Sequence, residues 1–299
     1  MKKILVVTGP TGSGKTSLSI ELAKRYNGEI ISGDAYQIYK KMDIGTAKIT
    51  EDEMDGIRHY FVDELNNDED YNVKIFQSRG RAIIDDILSR NKTVIICGGT
   101  GMYIKALLYD YKFSDEKKDE AYQKYLDSLT EEELYELILK TDPEVLETIH
   151  IHNHKRIKRA LMMAHLGKKK TDLLKEQQHI MLYDAYLIGL TAERELIYER
   201  INKRVDLMFE MGLEEEVKSL VKTKDDFKLQ SMRAIGYKEF ESYLYGEMSL
   251  EEVKELIKKN TRNFAKRQYT YFNNQLDICW YDICSDYKDE LIKTIDQFD

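Results

Sequence analysis

The sequence predicts an α/β fold, a parallel sheet flanked by helices, with an all-helical domain inserted into it. Three observations lead there. Short apolar runs alternate with helical patterns through the first hundred residues. A glycine-rich loop follows the first run and opens a helix. Between residues 113 and 182 the strand-like runs stop while helix signals continue.

Each element has its own reason. Ile4-Leu5-Val6-Val7 is a short apolar run that reads as a buried strand. In the helix that follows the loop, Leu18, Leu22 and Tyr26 share one face. Glu29-Ile30-Ile31-Ser32 is a second strand, and 72–90 a helix with Ile75, Phe76, Ile83, Ile84, Ile87 and Leu88 as its apolar set. Thr93-Val94-Ile95-Ile96-Cys97 is a third strand and runs into Gly98-Gly99-Thr100-Gly101. In 113–182, Thr130 and Glu133 make a capping box ahead of Leu134, Leu137 and Ile138, Asp142-Pro143 offers a cap and an N1 proline, and Ile157, Ala160, Leu161 and Ala164 keep the helical period. Residues 184–190 return to the sheet, and long helices are predicted over 192–222 and 249–268. The domains expected are therefore a core of 1–112 and 183–299, and an insertion of 113–182.

Composition limits the function. A chain of 299 residues, 33% charged and 42% apolar, buries a sizeable core. It has no run of about 18 apolar residues, so no membrane span is expected. Four apolar residues after Lys2-Lys3 are too few for a secretory signal, so a cytoplasmic protein is expected. Cys97, Cys279 and Cys284 form no C-x-x-C pair or Cys/His cluster; they are expected to be reduced and buried, without a structural zinc. The net charge of −8 argues against indiscriminate coating of nucleic acid, though not against a local basic face.

The chemistry starts at Gly9-Pro10-Thr11-Gly12-Ser13-Gly14-Lys15-Thr16, which is G-x-x-x-x-G-K-T between a strand and a helix. Its four fixed positions arise by chance in roughly one chain in a hundred of this length, and the flanking elements lower that further. Backbone N–H groups and the helix N-terminus converge on phosphate oxygens, Lys15 adds a cation, and the Thr16 hydroxyl can ligate Mg²⁺. The fold is thus expected to be P-loop NTPase-like. Residues 9–16, 33–37 and 98–101 follow strand ends and should meet in one crevice.

Further strings are distinctive together: Asp34-Ala35-Tyr36-Gln37-Ile38-Tyr39, Met42-Asp43-Ile44-Gly45-Thr46-Ala47-Lys48 and Gly98-Gly99-Thr100-Gly101-Met102-Tyr103-Ile104, then His154-Lys155-Arg156-Ile157-Lys158-Arg159, Met232-Arg233-Ala234-Ile235-Gly236-Tyr237 and Ala265-Lys266-Arg267-Gln268. In this order and spacing the chain, from residue 4 to about 272, resembles the bacterial tRNA dimethylallyltransferases. The resemblance implies transfer of a dimethylallyl group from dimethylallyl diphosphate to N6 of adenosine 37 in tRNA, beside the anticodon, by a monomer. It implies that Gly9, Thr11, Gly12, Ser13, Gly14, Lys15, Thr16 and Arg204 hold the diphosphate, with Mg²⁺ on Thr16, and that Asp34, Thr100 and Arg204 are catalytic. The tRNA contacts it implies are Asp34, Ala35, Tyr36, Gln37, Thr100, Lys155, Arg156, Ile157, Lys158, Arg159, Arg233, Gly236, Tyr237 and Lys238. Two positions depart from the family pattern: Ala35 stands where a serine is usual, and Asn273 where an arginine is usual.

Adenine N6 is weakly basic and must lose a proton as it attacks, a task for a carboxylate, and Asp34 follows a strand into the crevice. On sequence alone Asp34 can also be a turn or cap residue and Thr100 a turn residue, while for Arg204 a solvated helix arginine is the favoured reading. Tyr36, Gln37 and Tyr39 are expected to border the crevice and read a flipped base. Lysines and arginines along 254–267 add another candidate phosphate face, or a solvated one. Three rivals remain: a P-loop nucleotide kinase, which would often carry an acid after the third strand; a prenyltransferase acting on free adenine nucleotides; and a non-catalytic RNA-binding regulator.

Overall fold

The computed structural model describes residues 4–113, 119–176 and 178–298. They divide into two compact units, one of Met1–Leu108 with Tyr183–Asp299, the other of Tyr109–Leu182.

The first unit is built on a six-stranded sheet. Its elements in chain order are β1 (Ile4–Thr8), α1 (Lys15–Arg25), β2 (Gly28–Ser32), α2 (Glu51–Met54), β3 (His59–Tyr60), α3 (Val73–Ser89), β4 (Thr93–Cys97) and α4 (Gly101–Leu108). The second unit contributes α5 (Glu120–Ser128), α6 (Glu131–Thr141), a 3₁₀ turn at Pro143–Glu147, α7 (His154–His165) and α8 (Lys170–Glu176). The first unit then resumes with β5 (Ala185–Thr191), α9 (Arg194–Glu210), α10 (Leu213–Leu220), 3₁₀ turns at Lys224–Lys228 and Ser231–Arg233, α11 (Phe240–Leu244), α12 (Leu250–Gln275), β6 (Cys279–Asp282) and α13 (Lys288–Gln297).

The strand order is β3-β2-β4-β1-β5-β6, and every pairing is parallel. β1 lies between β4 and β5, where both faces are covered, and its five residues are all buried. β2 and β4 are the strands predicted at those places, and β5 falls one residue later than predicted. The edge strands β3 and β6 went unpredicted, because runs of two and four residues lack a readable period. Leu18 and Leu22 of α1 pack on the sheet with Val7, Ile95 and Leu190, while Leu291 and Ile295 of α13 close the same cluster.

Several expectations need correction. The helix predicted over 192–222 is two helices, broken at Gly212, whose φ of +95° lies in the left-handed region that glycine tolerates. The helix predicted to stop at 268 continues to Gln275. Asp142 does not cap the turn after it; its carboxylate accepts from the Thr171 hydroxyl at 2.7 Å and from the Thr171 backbone N–H at 3.3 Å. Cys279 and Cys284 are exposed, being on and just beyond an edge strand, and Cys97 is half-buried at the end of β4.

The second unit has its own core, in which Leu126, Leu134, Ile138, Val145, Ile157 and Leu161 meet. The Thr130–Glu133 capping box forms as predicted.

One buried charge ties α3 to the sheet. Glu29 on β2 accepts both outer guanidinium nitrogens of Arg90 at 2.6 Å, Lys92 at 2.7 Å and the Tyr60 hydroxyl at 2.8 Å. These bonds, Arg90 foremost, hold its pKa at about 2 instead of 4.5. A depressed carboxylate contributes stability that is present above its unfolded value and lost as pH falls through the folded one. Glu29→Gln should therefore cost about 3 kcal/mol at pH 7, with the difference from the parent shrinking between pH 4.5 and pH 2. Urea unfolding across that range checks it.

Candidate active site

The crevice lies beyond the carboxyl ends of β1, β2 and β4, and backbone hydrogen bonds set its floor. Gly33 N–H donates to Cys97 O at 2.8 Å, Gly98 N–H to Val7 O at 3.1 Å, and Thr100 N–H to Gly33 O at 3.3 Å. The Thr8 hydroxyl donates to Gly98 O at 3.0 Å. Strand ends this close leave no room for side chains: a Cβ on Gly98 would sit 2.5 Å from the Gly33 backbone.

In the phosphate loop Gly9, Gly12 and Gly14 all have positive φ, a backbone conformation that glycine tolerates. The Ser13 hydroxyl is buried there without a protein partner. Lys15 is half-buried, and its ammonium donates to Pro10 O at 2.7 Å. Burial above all, with Arg204 adding to it and Cys97 and Asp34 opposing, brings its pKa down to about 8. A cation so placed gains from any anion that enters. Thr16, one residue on, is exposed in the first turn of α1.

Arg204 comes from α9 and donates to the Thr11 hydroxyl at 3.3 Å; Arg200, one turn earlier, donates to Gly12 O at 3.4 Å. The helix thus lays two guanidiniums, both on exposed residues, against the phosphate loop.

Asp34 faces the same space. Its carboxylate accepts from the backbone N–H of Tyr36 at 2.8 Å and of Gln37 at 3.3 Å, so the turn role and the crevice position belong to one residue. Burial raises its pKa, opposed by those two bonds and by Lys15. Ala35 and Tyr36 are half-buried beside it, and Arg233 is near enough to act electrostatically on the Tyr36 hydroxyl. Gln37 is spent internally: its carboxamide accepts from Ser32 Oγ at 3.1 Å and reaches the carbonyls of Thr46 and Ala47.

Other predicted contacts are corrected by burial. Tyr39 lies wholly in the core and cannot border the crevice. Tyr237 is fully buried, and its hydroxyl donates to Glu216 at 2.6 Å. Gly236 is buried against Gly45, while Arg233 and Lys238 on either side are exposed. On α12, Lys254 and Lys258 both pair with Asp206 at 2.8 Å and Arg262 donates to Asn202, so this part of the basic run joins α12 to α9. In the second unit Lys155, Arg156 and Arg159 are exposed, Lys158 pairs with Asp127 at 2.8 Å, and Ile157 is core.

Two residues escaped sequence reasoning. Gln268 of α12 is buried; its carboxamide oxygen accepts from Thr11 N–H at 3.0 Å and its nitrogen donates to Gly99 O at 2.9 Å. It joins the phosphate loop to the loop carrying Thr100. Glu216 of α10 accepts from the N–H groups of Asp43, Ile44 and Gly45 at 2.9, 2.8 and 3.1 Å. Gln268 stood at the end of a quoted string, whereas Glu216 left no trace in a run of three glutamates.

This chain matches the family model described as IPP transferase over residues 37–275. It is 49% identical over 289 residues to a tRNA dimethylallyltransferase of Bacillus cytotoxicus, covering 94% of this chain and 90% of the relative. It is 48% identical to one of Bacillus anthracis, covering 94% and 91%. Among solved structures, the tRNA delta(2)-isopentenylpyrophosphate transferase of Staphylococcus epidermidis superposes with a TM-score of 0.74 at 41% identity, over 99% of both chains. A eukaryotic dimethylallyltransferase acting on tRNA superposes with a TM-score of 0.84 at 28% identity, over 99% of this chain and 78% of the other.

The lowered pKa of Lys15 has a measurable consequence. Below about pH 8 the ammonium is charged; above it the free protein has lost that charge, so binding an anion must take up a proton. Measured relative to Lys15→Arg, affinity for inorganic diphosphate should hold steady up to about pH 8 and weaken above it. Calorimetry on the parent and on Lys15→Arg, which stays charged, separates this from the ligand's own titration: the two should diverge only above about pH 8.

Proposed function

The chain belongs to the IPP transferase family, and from that premise we propose that it transfers a dimethylallyl group from dimethylallyl diphosphate to N6 of adenosine 37 in tRNA, releasing diphosphate. The observation that carries this is the grouping of Lys15, Arg204 and Asp34 in one crevice. Cations stand on the side where a leaving diphosphate gathers charge, and a carboxylate on the side where a nucleophile sheds a proton.

The allylic C–O bond breaks as N6 approaches the allyl carbon, and negative charge moves onto the leaving oxygens. Lys15, Arg204 and the loop N–H groups are in place before that charge appears, so little reorganisation is needed. The unpartnered Ser13 hydroxyl gains an acceptor when a phosphate oxygen is present. Asp34 takes the N6 proton; its raised pKa makes it a better base, and its turn hydrogen bonds fix its position. Thr100, held by its own N–H to Gly33 O, offers a hydroxyl at the same end of the sheet for the amino group or a phosphate.

The family's reaction is a metal-dependent one, and we assign Mg²⁺. The donors near the loop are hard oxygens, with Thr16 exposed to supply one, which suits that ion. When bound it neutralises charge on the diphosphate. No helix among the described residues is long and apolar enough to cross a membrane; the likeness to bacterial enzymes named for acting on tRNA supports our assignment of the enzyme to the cytoplasm.

The acceptor is tRNA, not a free nucleotide. Lys155, Arg156 and Arg159 hold exposed charge in the second unit, and Arg233 and Lys238 in the first, in a protein of net charge −8. A free nucleotide would leave these cations without a ligand. The decisive experiment is incubation with labelled dimethylallyl diphosphate and either total tRNA or AMP. Label is expected in tRNA alone; comparable kcat/KM on AMP would transfer the assignment to free-nucleotide prenylation.

Asp34→Asn should leave donor affinity intact and slow single-turnover transfer by about 10²–10⁴-fold. An unchanged rate would remove Asp34 as the base. Replacing Lys155, Arg156 and Arg159 with glutamine should weaken binding of an anticodon stem-loop and reduce its salt dependence by up to about three counterions, as filter binding across salt concentrations would reveal.

A further inference from the structure

The second unit carries a cluster that the proposed reaction does not use. Glu131, His152 and His154 place a carboxylate oxygen and two imidazole nitrogens all within 4.8 Å of one another. Nδ1 of His152 meets one carboxylate oxygen of Glu131, and Nε2 of His154 lies 3.3 Å from the other. Two imidazoles therefore converge on one carboxylate from either side.

The local structure explains why these side chains meet. Glu131 opens α6, but the capping of that helix is done by its neighbours: Thr130 Oγ1 accepts from Glu133 N–H at 3.2 Å, and Glu133 accepts from Thr130 N–H at 2.8 Å. The Glu131 carboxylate is thus released from the helix end. His152 and His154 flank Asn153, the N-cap of α7, whose φ of −87° and ψ of 65° are not helical. That break turns both rings toward α6, which a continuous helix would not do for residues two apart. His150 adds a third ring, its centroid 5.1 Å from that of His152.

We propose that Glu131, His152 and His154 bind one divalent transition-metal ion of the zinc type, joining the first turn of α6 to the first turn of α7. Bonds of 2.0–2.1 Å in a tetrahedral site put neighbouring ligand atoms about 3.4 Å apart; His154 Nε2 already lies 3.3 Å from one carboxylate oxygen, while His152 Nδ1 touches the other and its exposed ring would move back to admit the ion. Two nitrogens and one carboxylate oxygen suit Zn²⁺, Co²⁺ or Ni²⁺, and do not suit Mg²⁺ or Ca²⁺, which take oxygen donors. Both histidines are exposed, so a water completes the coordination. The site contains no cysteine. A bound ion would cross-link two helices of this unit and place positive charge one residue from Lys155.

The full chain, freed of metal, is titrated with Zn²⁺ by calorimetry and with Co²⁺ by absorption spectroscopy. One ion per chain is expected, with a Co²⁺ spectrum that lacks a thiolate charge-transfer band and an unfolding temperature that rises with added Zn²⁺. His152→Asn with His154→Gln, and separately Glu131→Gln, should abolish that ion and the rise. Glu131 is half-buried and both histidines are exposed, so the metal-free unfolding temperature of the variants should stay close to the parent's, and the rise with Zn²⁺ is read against each variant's own metal-free value; circular dichroism confirms that they are folded. The proposal fails if the parent takes up no ion. It fails equally if the double variant retains the ion, or if the Co²⁺ spectrum shows thiolate ligation, which would move the site to the cysteines.

Discussion

A half-buried ammonium held by a carbonyl is the constraint around which the catalytic unit is organised. Lys15 is drawn back by Pro10 O, and desolvation holds its pKa near 8. Asp34 is close enough to favour its charge, but spends its carboxylate on two backbone N–H groups. The lysine is thus not neutralised in advance by a fixed ion pair, and an entering phosphate gains the attraction that such a pair would have consumed. Arg200 and Arg204, laid over the loop by α9, add to the same excess of positive charge. An excess of this kind is costly to an empty protein and useful to one whose reaction expels diphosphate.

That excess requires a rigid surround, which comes from far along the chain. Gln268 satisfies a donor of the phosphate loop and an acceptor of the Gly98-Gly99 loop with one carboxamide. Glu216 gathers three consecutive N–H groups of the segment 43–45 and the Tyr237 hydroxyl. In the same segment the buried Lys48 ammonium bridges Asp43 and Asp63, each at 2.6 Å. Strings that look like separate fingerprints in the sequence are one hydrogen-bonded frame behind the crevice. Buried backbone donors in an irregular segment need partners, and a carboxylate or carboxamide from a packed helix supplies several at once.

The basic strings divide by what stands opposite them. Lys254, Lys258 and Arg262 face acceptors on α9 and serve the packing of two helices, while Lys155, Arg156 and Arg159 have their charge exposed. Charge spacing looks the same in both. Only the neighbour across the groove separates a fold contact from a surface for polyanions.

The sequence by itself determined the central strands, the phosphate loop, the helical character of 113–182 and the family, since each rests on local periodicity or on the spacing of residues that touch one ligand. It also put Asp34, Thr100 and Lys15 at strand ends, and strand ends in a parallel sheet share one edge. Tertiary structure decided what depends on distant partners. It buried Tyr39 and Tyr237, broke the long helix at Gly212, exposed two cysteines on and just beyond an edge strand, and brought Glu216 and Gln268 to loops that precede them by more than 160 residues. A polar side chain's role is set by the group it faces, and that group's position follows from packing, which no local pattern encodes.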